Sequence, residues 1–150
     1  MHFLEREIVL NTGIETLWQF MSTPANLNKL TPPELHFQIV SELPDRMYNG
    51  LMIQYAIKIP LFGSWNWLTE IKHIREREYF VDEQRLGPYR LWNHQHLFEP
   101  VEEQKTRMID RVNYCLPFGI VGTLVHELRV KKMLRDIFEY RAERLSEIFS

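Results

Sequence analysis

Apolar side chains change their spacing along this chain of 150 residues. From Leu35 to Cys115 apolar and polar residues alternate between recurring turn-forming residues, which predicts an antiparallel meander because successive strand side chains face opposite ways. The strands fall near Leu35–Glu42, Leu51–Ile59, Ser64–Ile74, Glu78–Arg85, Tyr89–Phe98 and Thr106–Cys115. Turns at Asp45–Gly50, Pro60–Gly63, Arg75–Arg77, Gly87-Pro88 and Pro100–Lys105 join them. Beyond Gly122 no proline or glycine interrupts the chain, and Leu124, Leu128, Met133, Leu134, Ile137, Phe138, Leu145 and Ile148 lie mostly three or four apart. That spacing predicts one long amphipathic helix over Thr123–Phe149, with Thr123 as N-cap and Glu127 favoured in its first turn.

Ahead of the meander, Phe3–Leu10 alternates like a strand, and Gly13–Met21 carries Ile14, Leu17, Trp18 and Met21 at helical spacing. Thr23-Pro24 opens a second short helix ending at Leu30, and Pro32-Pro33 stops it and returns the chain to the sheet. The order β-α-α-β6-α predicts an α+β architecture in which a curved seven-stranded antiparallel sheet wraps around the long C-terminal helix. A helix about 10–12 Å across leaves space in such a sheet unless very large side chains fill it.

Composition narrows the function classes. With 45% hydrophobic and 25% charged residues, 1–150 reads as a single domain able to bury a core without staples. The 18 basic residues against 20 acidic ones provide no global field for nucleic acid. A single cysteine, Cys115, cannot form an internal disulfide, so a cytoplasmic location is expected. The charged start Met-His-Phe-Leu-Glu-Arg-Glu is unlike a secretory signal, and no apolar run reaches the roughly 18 residues of a membrane span. Oligomeric state is not set by any of this. The aromatic fraction of 13% stands out, because that much ring surface must fill a core, line a pocket or form an interface.

Several local strings carry a family likeness: Leu30-Thr31-Pro32-Pro33, Phe80-Val81-Asp82-Glu83-Gln84, Gly87-Pro88-Tyr89, Trp92-Asn93-His94-Gln95-His96-Leu97-Phe98 and Leu116-Pro117-Phe118-Gly119. With the order of elements they make the chain resemble the START-like, or helix-grip (SRPBCC), superfamily, in its bacterial polyketide cyclase/dehydrase-like or ligand-binding branch. The resemblance spans essentially the whole chain and implies a helix-grip fold with a cavity for an apolar or aromatic, lipid- or polyketide-like molecule. It implies no single reaction.

Strand phasing selects an inner face on which Ile53, Tyr55 and Ile57 are joined by Trp65, Trp67, Thr69 and Ile71, and by Phe80, Asp82 and Gln84. Trp92, His94, His96 and Phe98 share it, as do Thr106, Met108, Asp110, Val112 and Tyr114. Apolar contact to a ligand would come from Trp65, Trp67, Trp92, Phe98 and Met108. Tyr55, Thr69, Asp82, Gln84, His94, His96, Asp110 and Tyr114 are polar groups that a pure packing core avoids, since an unpaired buried polar group costs about 1–3 kcal/mol.

Four accounts of that polar set stay open. It is a hydrogen-bonded network that satisfies itself, with the histidines donating to Asp82 or Asp110; a polar patch orienting a ligand; a general acid–base pair of His94 or His96 with Asp110 or Asp82 in a cyclase or dehydratase; or a metal site on His94-x-His96. The metal account is the weakest, because HxH needs a third ligand that Asp110 or Asp82 could supply but no further histidine at recognisable spacing does, and neither metal nor cofactor is assigned. An interaction module with a closed core is the account without any ligand. Cys115 reads as an inert thiol, and Gly119–Gly122 lacks the basic residue of a phosphate loop. Arg129, Lys131, Lys132 and Arg135 could make transient contact with anionic membrane headgroups, a solvated helix face being the simpler account. Leu61-Phe62 beside Gly63 is a candidate lip of the cavity or a packed hairpin tip.

Overall fold

A computed structural model of the chain describes residues 1–60, 62–117 and 123–150, the side chains of 123–126 excepted. Leu61, the Gly119–Gly122 segment and the capping role of Thr123 lie outside the described residues. The elements are β1 (His2–Leu10), α1 (Ile14–Met21), 3₁₀ turns at Pro24–Leu30 and Pro33–Leu35, β2 (Gln38–Ile39), β3 (Leu51–Ile59), β4 (Gly63–Arg75), β5 (Tyr79–Leu86), β6 (Leu91–Glu102), β7 (Lys105–Cys115) and α2 (Thr123–Ile148). The seven strands form one antiparallel sheet in the order β1-β7-β6-β5-β4-β3-β2. The meander runs in sequence across the sheet, and β1 returns to pair with β7 from His2↔Tyr114 to Leu10↔Thr106.

One strand is much shorter than its pattern suggests. Leu35–Glu42 alternates, yet only Gln38 and Ile39 pair with β3. Pro33, whose locked φ suits the first position of a helical turn, starts a second 3₁₀ turn, and His36 ends it in the left-handed region at φ 45°. The short helix before it, Pro24–Leu30, is likewise 3₁₀. Register shifts between Leu68 and Thr69 and between Lys72 and Arg75, the latter containing His73 at φ 53°, are bulges of the kind that bend strands and curl sheets.

Helix α2 buries Val130, Leu134, Phe138, Ala142 and Leu145. Leu128, expected on the same stripe, sits two residues before Val130, about 200° round the helix, and is exposed. Ile148, at the C-terminal end, is exposed too. Arg6 on β1 reaches Glu139 on α2 at 2.7 Å, so this acid pairs with the sheet edge rather than along its own helix.

At the α1 end the interior is solid: Trp18 meets Phe98 edge-on at 5.5 Å and Phe80 at 6.1 Å, and Met108 is fully buried. From there a column of rings crosses the interior. Phe80 stacks on His96 at 4.2 Å, His96 lies 3.7 Å from His94, and His94 meets Trp92 at 6.3 Å. Trp92 meets Trp67 at 5.4 Å, Trp67 stacks on Tyr55 at 5.7 Å, and Tyr55 packs on Phe37 at 4.7 Å.

The β5–β6 turn is held by a side chain. Gln84 donates Nε2–H to the Tyr89 carbonyl at 2.6 Å and accepts the Tyr89 N–H on Oε1 at 3.1 Å, lying across Gly87 as it does so. A Cβ at Gly87 would fall 2.5 Å from that Oε1. Gly87→Ala is therefore expected to displace the Gln84 amide and cost about 1–2 kcal/mol in urea unfolding, the worth of two backbone hydrogen bonds, although Gly87 itself needs no unusual φ.

Candidate functional site

Four residues from three adjacent strands and one from α2 meet inside the sheet. Asp82 on β5 is paired with His94 on β6, and His96 with Asp110 on β7, so strand register alone brings two carboxylates and two imidazoles together. His94 places Nε2 2.8 Å from Asp110 Oδ1 and Nδ1 3.3 Å from Asp82 Oδ2. His96 places Nε2 2.5 Å from the same Asp82 oxygen. Arg141 of α2 closes the cluster, with Nη2 3.1 Å from His96 Nδ1 and Nε 3.3 Å from Asp110 Oδ2.

Donor and acceptor rules assign the protons. A guanidinium can only donate, so His96 Nδ1 accepts from Arg141 and the ring proton sits on Nε2, donated to Asp82. The 3.2 Å approach of His96 Nδ1 to Asp110 Oδ1 then carries no proton, and the guanidinium charge beside both residues offsets it. His94 has a carboxylate at each nitrogen and is held as the imidazolium.

The titration directions agree with that assignment. Burial opposes charge on His94, but the Asp82 charge and hydrogen bonds to both carboxylates outweigh it and raise its pKa. Burial and the neighbouring His94 charge lower that of His96. Burial also opposes ionisation of Asp82 and Asp110, yet His94 beside the first and Arg141 beside the second, with hydrogen bonds from the histidines, hold both well below the usual carboxylate range. Two carboxylates, one imidazolium and one guanidinium balance to zero, a condition that buried charge demands.

Beside this network lies a cavity of about 140 Å³. Tyr55, Ile57, Trp67 and Trp92 form its sheet wall, and Met133, Leu134, Ile137 and Phe138 its helix wall. Leu30, Thr31, Leu35 and Phe37, from the two 3₁₀ turns and the segment after them, close one side. Asp82, His94 and Arg141 are the charged groups on its surface.

A seven-stranded antiparallel meander curled around one long helix, with a cavity between them, is shared with solved proteins. A START superfamily protein from Mycobacterium smegmatis superposes over 99% of this chain and 97% of its own, with a TM-score of 0.75 and 14% identity. This chain has the START-like, helix-grip fold. TTHA0849 from Thermus thermophilus matches over 97% of this chain and 95% of its own, with a TM-score of 0.69 and 18% identity. The di-domain ARO/CYC BexL of the BE-7585A biosynthetic pathway matches over 98% of this chain and 46% of its own, with a TM-score of 0.69 and 14% identity. No family model and no curated protein matches the chain.

Within this helix grip, Tyr55, Trp67, Asp82, Trp92 and His94 line the cavity, whereas His96 and Asp110 stand behind it in the network. Trp65 is a correction to strand phasing. It belongs to the predicted face, but β4 is exposed throughout Gly63–Asn66, and the indole is 39% exposed with its N–H donated to the Phe62 carbonyl at 2.8 Å. Phe98 and Met108 are inner residues at the α1 end, in solid core away from the cavity. The Thr69 hydroxyl donates to the Glu83 carbonyl at 3.0 Å, Gln84 braces the turn, and Tyr114 packs on Tyr89 at 6.0 Å; none of the three lines the cavity.

Arg141 is the functional residue that strand phasing could not supply. Its signal lay in the helix, where it follows Leu134 and Phe138 and precedes Leu145 at spacings of four, three and four. A charge on that stripe must find a buried partner.

Asp82, His94 and His96 also offer ligand atoms within 4.8 Å of one another, which makes Asp82, one of the two candidate third ligands, the carboxylate grouped with HxH. Ligands of a tetrahedral ion stand about 3.3 Å apart, so the 2.5 Å between Asp82 Oδ2 and His96 Nε2 is a hydrogen-bond spacing that would have to widen. An ion would also have to displace the His94 proton beside the buried Arg141 cation. Among the described residues, no helix is long and apolar enough to cross a membrane.

Proposed function

We propose that this protein binds a small apolar or aromatic molecule in the cavity between the curved sheet and α2, with the charged network as its polar floor. The observation that carries this reading is an aromatic-walled space beside a charge-balanced network: a cavity needed only for packing would be filled, and Phe37, Tyr55, Trp67, Tyr89, Trp92 and Phe138 all turn large rings to it. Its volume of about 140 Å³ compares with engineered apolar cavities of about 150 Å³ that take up benzene. A single ring fits; an acyl chain or an extended polyketide requires the walls to part. The BexL di-domain, described as an ARO/CYC, has the same fold and is consistent with an aromatic or polyketide-like occupant. A lone cysteine fits work in a reducing compartment such as the cytoplasm.

The acid–base reading draws less support. Both His94 nitrogens face carboxylates, and His96 accepts from Arg141 while donating to Asp82, so neither imidazole offers a lone pair to a substrate proton.

Calorimetric titration with toluene tests the binding reading. Saturable binding with a Kd on the order of 1 mM or tighter is expected, and Ile57→Phe, which grows a cavity wall inward, is expected to abolish it while changing stability by no more than about 1 kcal/mol. Heat of dilution alone for the unmodified protein, from material shown to be free of co-purified ligand, would sink the reading.

A further inference from the structure

The cavity presents few polar atoms that are not already committed. Both His94 nitrogens are taken by carboxylates. Arg141 donates from Nη2 to His96, and its Nε, ion-paired with Asp110 at 3.3 Å, has no hydrogen-bond partner but faces that carboxylate. The Thr31 hydroxyl donates to the Leu27 carbonyl at 2.9 Å. Asp82 is different, because its Oδ2 carries both histidine contacts while Oδ1 accepts from nothing among the described residues. Its side chain is also the most accessible of the network, 19% exposed against 7% for His94, 5% for His96 and Asp110, and 8% for Arg141. On the same cavity wall the Trp67 indole N–H is buried with no hydrogen-bond partner, and the Tyr55 hydroxyl makes no hydrogen bond among the described residues.

A carboxylate oxygen only accepts, an indole N–H only donates, and a phenol hydroxyl can do either. Together they complement a group that gives one hydrogen bond and takes another, which a hydroxyl does and an ether or hydrocarbon does not. A carboxylate ligand is disfavoured, because it would set a second anion against Asp82 while the cations nearby are matched to Asp82 and Asp110.

Resting on the reading of the cavity as a ligand site, we propose that its occupant is a neutral, ring-sized molecule bearing a hydroxyl, of the phenol or benzyl alcohol class, whose O–H is donated to Oδ1 of Asp82. The rings of Trp67 and Trp92 hold the apolar body, and Asp82 sets which end enters. A site built to bond a hydroxyl discriminates strongly against an analogue without one, because its own polar group is then left unpaired.

Calorimetric titration with phenol, anisole and toluene decides the matter. Phenol is expected to bind about tenfold or more tighter than anisole, which keeps the oxygen but has no proton to give, and anisole to bind within about threefold of toluene. In Asp82→Asn, where the acceptor is neutral and shared with an amide, phenol's advantage is expected to shrink to about twofold. Phenol binding no tighter than anisole, or an undiminished preference in Asp82→Asn, overturns the proposal while leaving the cavity a ligand site. Binding of none of the three overturns the ligand site itself. Should Asp82→Asn fail to fold, the ratio of phenol to anisole in the unmodified protein still decides.

Discussion

Arg141→Met is expected to cost this protein about 3–5 kcal/mol, the loss seen when one partner of a buried ion pair is removed and the other stays charged. The stranded group is Asp110, 5% exposed, whose Oδ2 faces the Arg141 Nε at 3.3 Å. His96 loses its donor at Nδ1 at the same time. Urea unfolding followed by circular dichroism measures the loss, and Arg135→Met, an exposed change on the same helix, should stay within about 0.5 kcal/mol. Adding Asp110→Asn to Arg141→Met removes the stranded charge and should restore a large part of the stability. A double variant as unstable as the sum of its parts would show that the two residues act independently.

The same network predicts an asymmetric dependence of stability on pH. Asp82 and Asp110 have folded pKa values depressed below the ordinary 3.8, so their contribution is present above that value and is lost as pH falls from it toward their folded values. His96, depressed below 6.5, also erodes stability as pH falls, starting from 6.5. His94, raised above 6.5, acts in the opposite direction, its contribution being full below 6.5 and lost as pH climbs through its folded pKa. The two histidines oppose each other near neutrality, so the profile should be shallow there. Below about pH 4 it should fall steeply, as both carboxylates take up protons that the folded state resists. Urea midpoints at about pH 7, 5 and 3 check this; equal midpoints at the two lower values would refute it.

The fold was largely legible in the sequence because each element obeys its own period. The strand Leu51–Ile59 is found as the alternation predicts, and α2 runs over nearly its whole predicted span. Errors arose where local backbone chemistry overrode periodicity, as with Pro33 and His36 cutting β2 to two residues. The site was legible in part. Alternation put Asp82, His94, His96 and Asp110 on one face, since that follows from side-chain direction. It could not say that the Gly63–Asn66 end of β4 is exposed, nor which inner residues border a space and which meet each other, because those depend on how elements pack. Arg141 was hidden for the same reason: a helix charge reads as solvated until the helix has something to face.

The column of rings from Trp18 to Phe37 also governs how the protein handles light. Trp67 and Trp92 are 5.4 Å apart, and Tyr55 and Tyr89 lie 5.7 Å from Trp67, so excitation absorbed at any of them passes among neighbours before emission. Interior emission is then a collective property, sensitive to the charged imidazole beside Trp92. Trp65, exposed and outside the column, adds the emission that lies furthest to the red. A Trp65→Phe protein would therefore leave a spectrum that belongs wholly to the interior.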